Sequence, residues 1–378
     1  MNLLVCINGN IPEWQACFDP QGDEPRLPLP YAFGAACSGV GFTLSGLDFS
    51  APAANGPGLG PFRAIYLLNH IDQALADADL AILWGGAGIR QCLREAQRPV
   101  HQRRIGFLTY GWREKGAFTA SRRANLLATR YAARFARCVV AMTAEQAADA
   151  RRSLPTHISV MQLSVGIDTR FYAHSAQLTD VPPEHRPTVE RLLQKPYVIL
   201  PGDELRLNTD ALDVIEATGL RLVRISQYGY KSNTNVLKDE IERRGLSDQI
   251  VVFERISYVF FRFLLQNAAA YAGFIDATWQ PAGWTVACES LTSGLPIVMY
   301  EGYVARELLA LGIPRELCKI VPIGDHAAFG RELVALADWP RSAALAASAR
   351  RFAAERIDLE KTGPVFATAL RSALEGAA

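Results

Sequence analysis

The chain has little with which to cross a membrane, bind nucleic acid or hold a metal. No uninterrupted apolar stretch is long enough to span a bilayer. The apolar run at the start, Leu3 to Ile7, has no basic region before it and does not read as a secretory leader. Lys and Arg number 39 against 38 Asp and Glu, a net charge of +1 that gives no global pull toward nucleic acid. The six His (70, 101, 157, 174, 185, 326) and seven Cys (6, 17, 37, 92, 138, 288, 318) are scattered without ligand spacing. Most of the Cys sit in apolar context and read as reduced, buried thiols of a cytosolic protein. The Asp-x-Asp triplet, Asp77-Ala78-Asp79, could hold a metal-bound diphosphate. It falls before an apolar strand, at the amino edge of a sheet, whereas ligands gather at the carboxyl edge; it reads as a solvated turn, and no metal is expected. There is no repeat of solenoid length.

What is present is a globular composition, 49% hydrophobic and 20% charged over 378 residues, which predicts two domains. Short apolar runs alternate with helical spacing. Strands are predicted at 2–7, 41–49, Leu80–Trp84, Arg104–Thr109 and Cys138–Met142, with helices at Ile65–Ala76, Ile89–Ala96 and Ala144–Ser153, the last capped by Thr143. Residues 50–62 read as irregular, and 174–195 as a linker. A second series follows: strands at Tyr197–Leu200, Leu220–Ile225, Ile250–Phe253, Ala268–Ile275 and Ile320–Ile323, with helices at 209–218, 236–244, 256–267 and 326–337. Two further helices near 341–354 and 361–376 end the chain. Strand-helix alternation with Gly at strand ends indicates α/β architecture with parallel, Rossmann-like sheets. The turn Asn8-Gly9-Asn10 after the first strand is either an acceptor-side contact through Gly9 and Asn10 or a simple turn.

Arg122 to Arg137 predicts a helix with two neighbouring stripes. Ala124, Leu127, Ala128, Tyr131, Phe135 and Cys138 form an apolar side, expected to pack, and Arg123, Arg130, Arg134 and Arg137 line up beside it. That flank is either solvated or a peripheral contact with an anionic membrane surface.

The organising stretch runs from Trp279 to Val298: a loop with Pro281 and Gly283, a helix of small and apolar residues containing Glu289, a stop at Gly294, and a strand from Pro296. A helix placed so directs its first N–H groups, those of Trp284, Thr285 and Val286, toward the carboxyl edge of the sheet, where they can hold an anion.

Glu289 followed by Gly294, Pro296, Ile297 and Val298 resembles the donor-site signature of the retaining, nucleotide-sugar-dependent glycosyltransferases with the GT-B fold. Val165-Gly166-Ile167-Asp168-Thr169-Arg170-Phe171 resembles the close of that family's first domain. The resemblance implies two Rossmann-like domains across a cleft. Residues 1–178 would be the acceptor domain, joined by a C-terminal helix (358–378) crossing back, and 179–357 the nucleotide-sugar donor domain. It implies a metal-independent hexosyltransferase without cofactor, using a UDP- or GDP-linked sugar and a glycan, lipid-linked or small-molecule acceptor. The location would be cytoplasmic or peripheral at the inner face of a membrane.

By the same resemblance Glu289 accepts hydrogen bonds from the ribose, the alternative being a structural helix acid. Gly202, Gly283, Trp284, Thr285 and Val286 line the donor site. Four positions depart from the family pattern. Pro281 replaces its first Glu, leaving the neighbouring Gln280 to meet the sugar. Tyr110 stands where a His is usual. Asp203 and Asn208 stand where Arg and Lys stabilise the diphosphate, leaving Arg206 and Lys231 as candidate cations or surface charges. These departures keep a second reading open, a catalytically silent relative that binds a nucleotide, glycan or partner protein.

Overall fold

The computed structural model describes residues 2–7, 25, 43–48, 56–59, 62–67, 71–109, 120–202, 209–226, 231–275, 282–337 and 343–375. Within them the chain builds two α/β lobes.

The first lobe holds β1 (Asn2–Ile7), β2 (Thr43–Asp48), β3 (Gly56–Leu59), β4 (Phe62–Leu67), β5 (Leu80–Trp84), β6 (Ile105–Thr109), β7 (Cys138–Ala141) and β8 (Ser159–Gln162). They form one sheet in the order β3-β4-β2-β1-β5-β6-β7-β8, parallel throughout except where β3 folds back on β4. Its helices are α1 (Ile71–Ala76), α2 (Gly85–Arg94), α3 (Ala120–Ala133) and α4 (Ala144–Ser153). Two elements connect the lobes, α5 (Thr169–Ala173) and α6 (Arg186–Leu193).

The second lobe holds β9 (Tyr197–Pro201), β10 (Arg221–Ser226), β11 (Ile250–Glu254), β12 (Ala270–Gly273), β13 (Ile297–Tyr300) and β14 (Cys318–Val321). They form an all-parallel sheet in the order β11-β10-β9-β12-β13-β14. Its helices are α7 (Thr209–Thr218), α8 (Lys231–Arg243), α9 (Tyr258–Asn267), α10 (Trp284–Thr292), α11 (Tyr303–Ala310), α12 (His326–Ala337) and α13 (Ala343–Arg356); α14 (Leu359–Glu375) follows.

Burial on both faces explains the continuous apolar strand sequences. Along β9, Tyr197 and Ile199 enter one core while Val198 and Leu200 enter the other. The first of these cores also contains Leu80 and Val140 of the first sheet and Val165, Ile167 and Tyr172 between the lobes, so one apolar cluster runs through the connection. Side-chain caps set several helix starts: Thr143 accepts from Gln146 N–H at 3.2 Å, Ser257 from Phe260 N–H at 3.3 Å and Asp325 from Ala328 N–H at 2.9 Å.

The last helix packs beside β8 of the first sheet, returning to the first lobe. The crossing is a short parallel bridge: Ile167 N–H donates to Ile357 O at 2.8 Å and Leu359 N–H to Ile167 O at 3.0 Å. Gly166 makes this approach possible. A Cβ there would lie 2.9 Å from backbone atoms of Leu359 and would also meet Thr362.

Several expectations are corrected. The stretch read as irregular contains β3, a short strand paired with β4. Ile65–Ala76 is not one helix: its start belongs to β4 and its end to α1. The helix after β5 begins at Gly85 itself. The linker holds α6 and two 3-10 turns. The apolar stripe on α3 is turned outward: Leu127 and Tyr131 are 64% and 57% exposed, while Ala132, Ala133 and Ala136 are buried. Small side chains allow α3 close to α2 and the sheet, so the alanine side packs and the larger residues face out. Arg137 leaves the basic flank altogether; it is buried and donates to Val100 O at 3.1 Å. Tyr31 to Cys37, whose sequence also suits the start of a helix, lies outside the described residues.

Candidate active site

The chain leaves β12 at its carboxyl end and returns as α10, so the N-terminus of α10 opens at the carboxyl edge of the second sheet. Gly283 precedes it at φ 85, a left-handed conformation that suits glycine. A side chain there would run into Ile275 and approach the Tyr271 hydroxyl at 3.3 Å. Gly283 offers no side-chain cap, and the first N–H groups of a helix have no intrahelical acceptor.

The two sides of α10 do different things. Thr285 is exposed and Val286 half-buried. The Trp284 ring is buried, and its Nε1 donates to Val165 O at 2.7 Å, tying the start of the helix to the segment that connects the lobes. Glu289, 7% exposed, accepts a 2.7 Å hydrogen bond from the Tyr172 hydroxyl. Burial, then the neighbouring Glu289 carboxylate, push the Tyr172 phenol well above its usual range, so it is a neutral donor. Gly294, at φ 79, stops the helix and lies against Ala346 and Arg350 of α13.

Gly202 follows β9 at φ 126 and donates its N–H to Ile225 O at 3.0 Å, which closes the mouth of the β9–β10 pair. Lys231 opens α8, five residues before the predicted helix start at Val236, rather than lying in a loop. Tyr110, Arg206, Gln280, Gly9 and Asn10 lie outside the described residues, as do Asp203, Asn208 and Pro281. Asp77-Ala78-Asp79 does sit between α1 and the amino end of β5, where Asp79 accepts from Asn2 N–H at 2.6 Å. Among the described residues no cluster of three or more His, Cys, Asp or Glu could hold a metal ion. Cys92, Cys138, Cys288 and Cys318 are free and buried; burial pushes the thiols of Cys138 and Cys318 up to about 12.

Two buried residues at the carboxyl side of the second lobe's sheet and its approach, one on α5 and one on β10, escaped the sequence reading. Tyr172 is one; it directly follows the stretch Val165–Phe171 and carries no spacing signal. Arg224 is the other. It lies buried near the carboxyl end of β10 and donates from Nη1 to Leu200 O at 2.8 Å and Ile225 O at 3.1 Å. A lone Arg inside the apolar strand Leu222-Val223-Arg224-Ile225 was the available sign.

The lobes meet where α4 of the first and α11 of the second begin. Arg306 Nε donates to Glu145 Oε2 at 2.6 Å, and Glu307 accepts from Ala144 N–H at 3.0 Å and from Gln162 at 2.6 Å. Both helices follow strand carboxyl ends, so at this contact the two sheets present the same edge to each other.

No protein-family model matches the chain. No curated protein matches it. Solved structures match over its whole length. Sucrose-phosphate synthase from Thermosynechococcus elongatus aligns at TM-score 0.73 and 13% identity, covering 100% of each chain. Anabaena HepE in complex with UDP-glucose aligns at TM-score 0.70 and 14% identity, over 98% of this chain and 100% of that one. The α,α-trehalose 6-phosphate synthase of Burkholderia multivorans aligns at 0.69 and 13%, over 100% and 99%. The fold is therefore GT-B, two Rossmann-like α/β domains. Among the described residues no helix is long and apolar enough to cross a membrane.

Proposed function

We propose that this chain is a retaining glycosyltransferase that moves a hexosyl group from a nucleoside-diphosphate sugar to a glycan, lipid-linked or small-molecule acceptor. The observation that carries the reading is Glu289 on a helix that opens without a side-chain cap at the carboxyl edge of the second sheet, within a GT-B fold. Residues 179–357 would bind the donor. Residues 1–178, with the crossing helix, would take the acceptor. The UDP-glucose held by HepE favours a UDP-linked donor over a GDP-linked one.

The carboxylate of Glu289 would accept from the ribose hydroxyls, and the N–H groups of Trp284, Thr285 and Val286 would face the diphosphate. The glycosidic carbon–oxygen bond to the diphosphate breaks, and a bond to the acceptor oxygen forms on the same face. The leaving diphosphate takes up the acceptor's proton. Charge grows on that leaving group, so cations near it, Arg206 or Lys231, would contribute most to the rate. Tyr110 and Gln280 would position the sugar, and no metal is required in this scheme. The test is incubation with UDP-glucose and GDP-mannose while free nucleotide is followed: slow donor hydrolysis supports transfer.

A second reading, binding without transfer, has its own observation. Glu289 is buried and tyrosine-bonded, as a structural helix acid would be. Nucleotide binding with no release across a broad acceptor panel favours it.

For location, a peripheral contact with an anionic membrane surface is proposed through α3. Leu127 and Tyr131 stand outward beside Arg123, Arg130 and Arg134. From Lys115 to Ala144 the sequence contains no acidic residue.

A further inference from the structure

Tyr172 precedes the second sheet in sequence, yet it is fastened to the second lobe. Gln266 Nε2 of α9 donates to Tyr172 O at 2.8 Å, and Arg262 Nη1 donates to Phe171 O at 3.2 Å. The Arg262 guanidinium also lies over the Phe171 ring, 4.6 Å from its centroid. The Tyr172 ring is buried and held edge-on by Phe171 and Phe261, with centroids 5.0 and 6.4 Å away. Its hydroxyl thus has a fixed position, 2.7 Å from Glu289 Oε1.

A glutamate side chain on a helix has several rotamers. A donor fixed by packing selects one of them and sets the plane of the carboxylate. A carboxylate offers about four acceptor directions, and Tyr172 takes one.

We propose that Tyr172 is a positioning residue for nucleotide recognition: its hydroxyl holds the Glu289 carboxylate in the orientation that meets the ribose hydroxyls of a nucleoside diphosphate. This rests on the reading of Glu289 as the ribose partner. It makes ribose recognition depend on a side chain supplied by the connection between the lobes. Burial and the neighbouring carboxylate keep the phenol protonated, so it remains a donor across the working pH range.

The experiment compares calorimetric affinities for UDP and GDP with those for their 2′,3′-dideoxy counterparts. The ratio of the two affinities reads ribose recognition alone. In the unaltered protein the ribose forms bind more tightly. Glu289→Ala abolishes that preference. Tyr172→Phe, which keeps the ring and removes only the donor, lowers it about three- to tenfold while leaving dideoxy binding unchanged. Fluorotyrosine at position 172, a stronger donor of the same shape, raises it. If Tyr172→Phe keeps the full preference while Glu289→Ala loses it, Tyr172 only packs and the proposal is overturned, with the ribose reading intact. Equal weakening of ribose and dideoxy forms also overturns it, as a general loosening of the fold. If Glu289→Ala keeps the preference, the ribose reading fails first and takes the proposal with it. Should Tyr172→Phe not fold, the fluorotyrosine arm decides, and an unchanged preference there overturns the proposal.

Discussion

Glu307, on α11 of the second lobe, accepts a hydrogen bond from Gln162 of β8 in the first, with Gln162 Nε2 2.6 Å from Glu307 Oε1. Its other oxygen accepts from Ala144 N–H, the first residue of α4, at 3.0 Å. The two lobes are thus joined by a carboxylate that caps a helix of its neighbour. Burial raises its pKa above the ordinary carboxylate value, and the two hydrogen bonds offset this only in part. The sign follows. Between the ordinary value and the raised folded value, the folded chain holds a proton that the unfolded chain has lost. Stability from this group therefore rises as pH falls from neutral through that window. Glu307→Gln should remove this dependence, so its melting temperature relative to the parent should be highest at neutral pH and decline on acidification. A constant difference across pH would show that burial does not perturb Glu307.

Gly166 and Leu359 make the second prediction. A Cβ at position 166 meets the Leu359 backbone, which cannot move without breaking the hydrogen bonds between Ile167 and residues 357 and 359. Gly166→Ala should destabilise the protein by about 1–3 kcal/mol, seen as a lower urea midpoint. Adding Thr362→Ala should not restore it, because the backbone contact remains. Full recovery in that double variant would mean that the crossing is less tight than described.

Gly283→Ala tests the mouth of α10. The left-handed conformation costs a non-glycine residue about 1–2 kcal/mol, and the methyl group meets Ile275. UDP affinity should drop about tenfold as the first turn shifts. Wild-type affinity in a folded variant would separate this turn from the ligand.

The outward face of α3 predicts vesicle binding. The protein should sediment with phosphatidylglycerol vesicles at low salt and stay in solution with phosphatidylcholine. Leu127→Ser with Tyr131→Ser should abolish sedimentation, and Arg123→Ala with Arg134→Ala should weaken it severalfold. Equal sedimentation with both lipids, or none with either, would rule out an anionic surface as the partner of α3.

The strand-helix alternation was legible because both sheets are parallel and buried on two faces, which writes apolar runs such as Tyr197–Leu200 directly into the sequence. Two capped helices start as read, α4 after Thr143 and α12 after Asp325, whereas α9, capped by Ser257, starts two residues later than its apolar run suggests. Periodicity failed where residue size outweighed hydrophobicity. On α3 the stripe of larger apolar residues looked like the packed face, yet close approach to α2 selects alanine. It failed again at β4 and α1, where a strand runs into a helix without a change in composition. Among site residues, the turn at Gly283, the stop at Gly294 and the helix between them follow from local chemistry. Tyr172 does not, because its partner is 117 positions away and only the folded connection between the lobes brings the two together.

Whether the second lobe holds a nucleotide through Glu289 is read from calorimetric titration of UDP and GDP into the protein and into Glu289→Ala. Loss of a hydrogen bond to a charged group costs about 1.5–3 kcal/mol, so the variant should bind about ten- to a hundredfold more weakly while remaining folded. Equal affinity in the two proteins would show that Glu289 serves only Tyr172 and the helix, and would contradict the account.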